Sequence, residues 1–366
     1  MDIRVSSTNR IDERFRLARL SRGLSQAALA DQAGVTRQTI SGIEAGRWSP
    51  SLDVALAVAA ALGSSVEELF GAGPSFKPTG ARLVIGARRQ ARLLLGGVDG
   101  NQVAFPLEGD HVLVPGFRPA LAEVDGAHDE GADSVVEAHR FVAPAPGLVI
   151  AGCDPALALL AGPLERHRPP MGLVWWNCAN STGLGLLDAG LIHVTAVHRR
   201  HDQRRGRSVA HEVVGFAAWR EGLAVSPRYA GRVRGLADAV DLGLRLANRE
   251  PGSEARRLLD EALTQLGVDG PSLAGYGTSC TAHLLVASAI AAGLADVGVA
   301  SEPAALAYGL GFVPWQSELC ELWIPRSQLG TPEVRALLDV MAGSELPAQL
   351  QAIAGYDATP CGRVAT

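Results

Sequence analysis

Residues 24–51 read LSQAALADQAGVTRQTISGIEAGRWSPS, and this stretch decides the fold of the N-terminal part of the chain. Ser25 can cap a helix over residues 26–32, and Thr36 can cap a second helix directly after it. Gly34 lies between them and supplies the positive φ that a tight turn between two crossing helices requires. The stretch therefore predicts two short helices that cross at a tight turn.

The residues that flank this pair extend it to an all-α bundle over residues 1–70. Ser51 opens a further helix, and a short one ends at Phe70. Because apolar residues recur at helical spacing, we expect one shared buried face. Its predicted members are Leu29, Ala30, Val35, Ile40, Ile43, Leu52 and Leu56.

Polar side chains remain on the outer face of the helix that follows Thr36. Arg37, Gln38 and Ser41 lie on it, and Arg47 lies just past its end. Arginine pairs with guanine edges and glutamine with adenine edges in the major groove, whereas serine and threonine suit phosphates. This face predicts contact with double-stranded DNA, and Thr36 at the helix start joins the candidates.

The whole run resembles the Cro/phage-repressor, or xenobiotic-response-element, class of helix-turn-helix domains. The resemblance implies that Gln26 opens its helix against a phosphate and that Arg37 and Gln38 contact bases. It further implies that Ser41 and Arg47 touch the DNA backbone. Domains of this class usually bind as dimers on two half-sites of an operator, so the resemblance implies a homodimer.

Length and composition set the broad class of the protein. A chain of 366 residues with 47% hydrophobic residues is expected to form two or three globular domains. Its net charge of −5 provides no overall attraction to nucleic acid, so DNA binding requires a local patch. We find neither an export signal nor an apolar stretch that could span a membrane. We expect a cytoplasmic protein whose five cysteines are reduced.

A change in composition separates this bundle from the middle of the chain. Residues 71–80, rich in glycine and proline, predict a linker. Residues 81–146 carry short β-type runs, one of them at Val112–Val114, and Asp99-Gly100 between two runs signals a hairpin. We expect a small β-rich segment and find no chemical motif in it.

From Gly147 onward, short apolar strands alternate with helices, which is typical of an open α/β sheet. The pattern predicts strands at 147–151, 172–176, 192–197, 244–247 and 297–300. We assign residues 147–342 to this domain and residues 343–366 to a C-terminal tail. Ligands bind such sheets at the carboxyl ends of strands, where the strand-to-helix loops meet.

Several of these loops deliver groups that suit a small anion. Free backbone N–H groups and the helix dipole favour negative charge at a helix start, although each serine or threonine there can also be an ordinary cap. Arg249 could add a charged hydrogen bond, and Asp154 is most simply explained as a cap. The predicted ligand-binding residues are Cys153, Asp154, Asn180, Ser181, Thr182, Arg249, Gly252, Ser253, Ser279 and Thr281.

Three segments carry a second resemblance: residues 248–260, residues 293–298, and the region from Phe312 to Leu322. Together they are similar to the periplasmic-binding-protein-like ligand domain related to molybdate-binding proteins. The resemblance implies two α/β lobes that are joined by crossing strands and close on a ligand. It makes a tetrahedral oxyanion, molybdate or tungstate, the leading candidate for a small-molecule effector.

Two alternatives to an oxyanion sensor are a metal or redox sensor and an enzyme with a DNA-binding domain. Cys153, Cys178, Cys280 and His283 lie in or beside strand-to-helix loops, and together they would suit a thiophilic metal or a redox signal. His198 and His211 are weaker candidates for such a site. The chain lacks a Gly-x-Ser-x-Gly, a Walker loop and a full dinucleotide motif, so we do not expect an enzyme. The basic run at residues 199–207 is expected to be a solvated loop.

Overall fold

The computed structural model describes residues 15–16, 18–20, 22–70, 79–88, 91–108, 111, 122–125, 131–140, 147–200 and 210–364. The chain divides into two compact units, Met1–Lys77 and Pro78–Thr366. Three sequence predictions lie wholly or mostly outside the described residues: the linker, the strand at 112–114 and the basic run at 199–207.

The first unit contains the predicted helices. They are α1 (Gln26–Gln32), α2 (Arg37–Glu44), α3 (Leu52–Leu62) and α4 (Val66–Phe70). The Ser25 hydroxyl accepts a hydrogen bond from the N–H of Ala28, and the Thr36 hydroxyl accepts one from the N–H of Thr39, both at 3.1 Å. Gly34 has a φ of 64°. The predicted caps and the tight turn are confirmed.

The predicted core of this unit is wrong at two positions. Leu29, Ala30, Ile40 and Ile43 are buried, but Leu52 is 70% and Leu56 is 53% exposed. On α3 the buried face instead consists of Ala55, Val58, Ala59 and Leu62. These four positions are spaced i, i+3, i+4 and i+7, as one helix face requires, and the two leucines lie to one side of that face.

The β-rich segment forms a closed five-stranded barrel in the order β1-β3-β2-β4-β5. The strands are β1 (Thr79–Leu83), β2 (Arg92–Val98), β3 (Asn101–Pro106), β4 (Ala122–Asp125) and β5 (Val135–Arg140). Asp99 and Gly100 connect β2 to β3 with φ values of 48° and 80°. Positive φ at both central residues is the geometry of a two-residue hairpin, so the predicted hairpin is confirmed.

This barrel shares a hydrophobic core with the α/β domain that follows it. Val103 and Phe105 of the barrel belong to the same buried cluster as Val149 and Trp176. Gly96 lies at this contact, where a Cβ atom would come within 2.5 Å of the Val149 side chain. The absence of a side chain at Gly96 therefore permits the close approach.

An eight-stranded mixed sheet forms the centre of the second unit, in the order β11-β10-β12-β9-β13-β8-β6-β7. Parallel strands lie on either side of a central antiparallel pair, which is formed by the two longest strands, β9 and β13. The strands are β6 (Gly147–Ala151), β7 (Gly172–Trp176), β8 (Val194–Arg200), β9 (His211–Val225), β10 (Leu246–Arg249), β11 (Ser279–Cys280), β12 (Val297–Ser301) and β13 (Gly311–Pro325).

Helices cover this sheet, most of them close to their predicted positions. They are α5 (Ala161–Arg166), α6 (Asn180–Asp188), α7 (Leu236–Asp241), α8 (Glu254–Gln265), α9 (His283–Ala291), α10 (Glu302–Ala307), α11 (Pro332–Ala342) and α12 (Glu345–Ala352). Among the described helices none is both long and apolar enough to cross a membrane.

Residues 343–366 were expected to be a tail, but their described part packs into the α/β domain. Leu346 and Leu350 of α12 are fully buried in its largest hydrophobic cluster. Val364 and Asp357 form β-bridges with residues of β9. The spacing of the buried leucines, i and i+4, places both on the inner face of a helix.

Candidate functional site

Helix α2 exposes the side chains that were predicted to contact DNA. Arg37 and Gln38 are exposed, whereas Ile40 and Ile43 on the other face are buried. Ser41 is half-buried, and Arg47 is exposed beyond the end of the helix. A basic and amide-bearing face backed by apolar residues can approach a groove of DNA without uncovering the core.

A hydrogen-bonded network on Glu44 anchors α2. Arg19 Nε lies 2.6 Å from Glu44 Oε1, and Gln26 Nε2 donates to Glu44 Oε2 at 2.8 Å. Burial opposes the charge of Glu44, but Arg19 outweighs it and lowers the pKa of the carboxyl. The Gln26 side chain therefore helps to position α2. The sequence had predicted only that Gln26 contacts a phosphate.

In the second unit, four strand-to-helix loops meet at one place. Asn177, after β7, donates to the carbonyl of Thr281, after β11, at 2.9 Å. Gly252, after β10, approaches the start of α6 so closely that a Cβ on it would lie 3.1 Å from Ser181 Oγ. The loop after β6 carries Cys153 to the same place. The predicted convergence of loops is present, and we name this place the cleft.

Cys153, His198 and His283 form a buried cluster in the cleft. Cys153 Sγ lies 2.9 Å from His198 Nε2 and 3.9 Å from His283 Nε2. One ligand atom from each residue lies within 4.8 Å of the other two, and all three side chains are buried. Such a group of one thiol and two imidazoles can bind a soft or borderline metal cation, or can stabilise a thiolate.

Two buried carboxylates stand behind the histidines. Glu318 Oε2 lies 3.5 Å from His198 Nδ1, and Glu221 Oε1 lies 3.4 Å from His283 Nδ1. Burial, reinforced by the charge of Glu318, raises the pKa of Glu221 to about 8. Each imidazole therefore faces a sulfur on one side and a carboxylate on the other.

These neighbours set the charges of the cluster. Burial opposes ionisation of the Cys153 thiol, but His198 outweighs it and lowers the pKa of that thiol. Burial likewise opposes a charged His198 ring, yet Cys153 and Glu318 raise its pKa well above the ordinary value. For His283, burial and the charge of Arg249 together lower the pKa well below the ordinary value. The result favours a thiolate paired with one charged and one neutral imidazole.

Arg249 is a buried cation at the end of β10. Its Nε and Nη2 atoms donate to Glu250 at 2.7 and 2.9 Å, and Nε also donates to the carbonyl of Cys280 at 3.2 Å. Its Nη1 atom is buried without a hydrogen-bond partner among the described residues. This nitrogen is a donor that an anion could use.

Three of the residues that were predicted to bind the ligand instead form hydrogen bonds to the backbone of the protein. Ser253 caps α8, accepting from the N–H of Arg256 at 3.2 Å, and donates to the carbonyl of Glu250. Asp154 accepts from the N–H of Ala156 at 2.8 Å, which agrees with its interpretation as a cap. Asn180 donates to the backbone carbonyl of His198 and accepts from its N–H.

The remaining predicted residues are distributed differently from expectation. Ser279 and Thr281 do not begin a helix, because Ser279 is exposed in β11 and α9 starts only at His283. Ser181 and Thr182 are in the first turn of α6, as predicted, and Ser181 is exposed. Cys178 and Cys280 are buried but lie outside the group formed by Cys153 and the two histidines.

Sequence reasoning undervalued His198 and missed Glu221 and Glu318. For Glu221 a signal was available, because it lies in the largely apolar run that forms β9, whereas Glu318 follows Gln316 and Ser317 and carries no such signal. A buried carboxylate needs a partner to offset the cost of desolvation. The partners could not be named from the sequence, since β8, β9 and β13 become neighbours only in the folded sheet.

Comparison with known proteins gives matches to both units. A helix-turn-helix family model matches residues 15–69, and a PBP superfamily domain model matches residues 161–342. An uncharacterized protein of Clostridium pasteurianum, encoded in the 5′ region of a 2Fe-2S ferredoxin gene, is 36% identical over 110 residues. That match covers 30% of this chain and 97% of the relative.

Among solved structures, the effector-binding domain of QuiR in complex with shikimate is similar, with 9% identity and a TM-score of 0.42. That match covers 57% of this chain and all of the QuiR domain. An uncharacterized HTH-type transcriptional regulator of Methanothermobacter thermautotrophicus is 53% identical over 49 residues, covering 13% of this chain and 71% of the relative. The chain therefore belongs to the HTH-type transcriptional regulators, and it joins their helix-turn-helix domain to a PBP superfamily domain.

Proposed function

We propose that the protein acts in the cytoplasm as a dimeric regulator that binds operator DNA through α2 and responds to a small molecule bound in the cleft. The observation that carries the proposal is the exposed face of α2, where Arg37 and Gln38 make no hydrogen bond or ion pair among the described residues. Side chains free of protein partners can bond to base edges without losing an existing contact.

The dimer is supported by an apolar strip on the first unit. Leu52 and Leu56 lie one helical turn apart on α3 and are both largely exposed, and Trp48, four residues before Leu52, is 56% exposed. A second copy of the chain that packs on this strip would bury it and would place two α2 helices on adjacent half-sites. Sedimentation of the full chain would test the dimer directly.

The substitution Arg37→Ala is expected to weaken binding to the cognate operator by about 1–3 kcal/mol, because it removes a bidentate contact to a base. Binding to random DNA should weaken less, since non-specific affinity rests on phosphates. Fluorescence anisotropy with both DNAs measures the difference. The matched variant Arg47→Ala should weaken both by similar factors, and equal losses from Arg37→Ala would exclude base reading by Arg37.

An oxyanion such as molybdate or tungstate is one candidate effector, and the buried Nη1 atom of Arg249 favours it. A dianion held there would receive a charge-assisted hydrogen bond in a site of low dielectric constant. Calorimetric titration of the full chain with molybdate should then give saturable heat, which Arg249→Gln would remove. Molybdate binding that survives Arg249→Gln would contradict this assignment.

A further inference from the structure

We infer that Cys153, His198 and His283 are the ligands of a thiophilic transition-metal cation such as zinc or copper. The inference rests on the proposed function and deepens it, because it makes this metal the effector that is sensed in the cleft. The family matches assign no such site. The sequence indicated Cys153 and His283 as candidates but grouped them with Cys178 and Cys280, and His198 carries no recognisable spacing signal toward the other two residues.

The spacing of the three ligand atoms fits one metal ion. Zinc binds sulfur at about 2.3 Å and imidazole nitrogen at about 2.0–2.1 Å, which places the two ligand atoms about 3.6 Å apart in a tetrahedral site. The observed separations from Cys153 Sγ, 2.9 Å to His198 Nε2 and 3.9 Å to His283 Nε2, lie on either side of that value. All three ligand atoms lie within 4.8 Å of one another, close enough to surround a single cation.

A second, independent observation comes from the atoms behind the ligands. His198 Nδ1, Glu318 Oε2 and Glu221 Oε1 are all buried, and none has a hydrogen-bond partner among the described residues. Histidines that bind a metal commonly donate their other ring N–H to a carboxylate, which fixes the ring. A metal bound to both Nε2 atoms would leave each Nδ1 protonated. His198 Nδ1–H could then donate to Glu318, and His283 Nδ1–H could donate to Glu221.

The tautomer of His283 changes in this scheme. In the metal-free cluster the backbone N–H of Ser301 lies 3.3 Å from His283 Nδ1 and donates to it, so Nε2 carries the proton. A metal at Nε2 displaces that proton, and the Nδ1–H that results is directed to Glu221. Metal binding thus exchanges a backbone contact of His283 for the buried carboxylate.

Charge in the cleft also favours a cation over an anion. Glu221, Glu318 and Asp154 bring three buried carboxyl groups close to the cluster. The positive charge of Arg249 is paired with Glu250 at 2.7 Å, so it offsets them only in part. A divalent cation relieves the mutual repulsion of buried carboxylates, whereas a dianion would add to it.

The origin of the ligands suggests how the metal would act. Cys153 and His198 follow or lie in β6 and β8, on one side of the central strand pair, and His283 begins α9 on the other side. One ion bound to all three ties the two halves of the sheet together. Because the described residues supply three ligands, a fourth position is open to water or solute, as in zinc sites that are not purely structural.

The test is titration of the full chain, stripped with a chelator, with zinc chloride in a calorimeter and with cobalt chloride by absorption. We expect one equivalent per chain and a thiolate-to-cobalt charge-transfer band. Cys153→Ser should weaken zinc binding by more than about 100-fold, and Glu318→Gln should weaken it about 10–100-fold. Cys361→Ser, which changes a cysteine outside the cluster, should leave it unchanged.

Circular dichroism shows whether each variant folds, and His283→Gln replaces Cys153→Ser if the latter does not. Zinc that fails to bind stoichiometrically, or that binds the folded Cys153→Ser variant as tightly as the unchanged chain, overturns the inference. Because operator binding is measured separately with Arg37→Ala, a failure of metal binding would leave the DNA-binding proposal standing. Saturation by molybdate alone would overturn the metal in favour of the oxyanion.

Discussion

Replacing Gly275 with alanine is expected to destabilise the second unit by about 2–5 kcal/mol. Gly275 has a φ of 82°, and a Cβ atom on it would lie 2.2 Å from the carbonyl oxygen of Leu246. The left-handed conformation costs a non-glycine residue about 1–2 kcal/mol. The clash adds about 1–3 kcal/mol, because the contacting atom belongs to the backbone of β10 and cannot rotate away.

Gly277→Ala is the matched control for this prediction. Gly277 lies two residues further along the same loop, has no positive φ, and would have no heavy atom within 4 Å of an added Cβ atom. Urea unfolding followed by tryptophan fluorescence suits the comparison, since five of the six tryptophans belong to the second unit. If both alanine variants unfold at the same urea concentration, the close packing of Gly275 on β10 is not a source of stability.

Truncating Leu346 to alanine is expected to cost about 2–5 kcal/mol, the usual range for a fully buried leucine. Leu346 is 0% exposed and lies in the same hydrophobic cluster as Leu148 and Phe216 of the central sheet. A peripheral tail would give a change near zero, so the size of the effect measures how far α12 belongs to the domain.

Leu294→Ala provides the comparison, because Leu294 belongs to the same unit and is 74% exposed. Its substitution should change the free energy of unfolding by no more than about 0.5 kcal/mol. Thermal unfolding of both variants is compared by circular dichroism. If Leu346→Ala lowers the free energy of unfolding as little as Leu294→Ala does, residues 343–366 are a peripheral tail after all.

Local signals in the sequence were sufficient for much of the fold. Ser25, Thr36 and Ser51 cap the helices that they were predicted to cap, since a cap depends on atoms only a few residues away. The strand at 147–151 and the hairpin at Asp99-Gly100 were likewise determined by short-range pattern. The caps and the hairpin can be predicted because neighbours in sequence supply their hydrogen bonds.

Features that depend on distant partners could not be predicted in this way. The strand β9 is buried along most of its length, so it lacks the alternating pattern that marks a half-exposed strand. On α3 the predicted buried face included Leu52 and Leu56, and packing against the other helices instead buries Val58 and Leu62. The partnership of His198 with Cys153 spans 45 residues and required the folded sheet.

The barrel and the α/β domain share one hydrophobic core, so neither can be moved to another protein without the other. A cut near residue 146 would uncover Val149 and Trp176 on one side and Phe105 on the other. It would also separate Gln328 from Asp99, which it contacts at 2.6 Å. Gene fusions that transplant the sensing function to a different DNA-binding domain should therefore carry residues 78–366 as a single cassette.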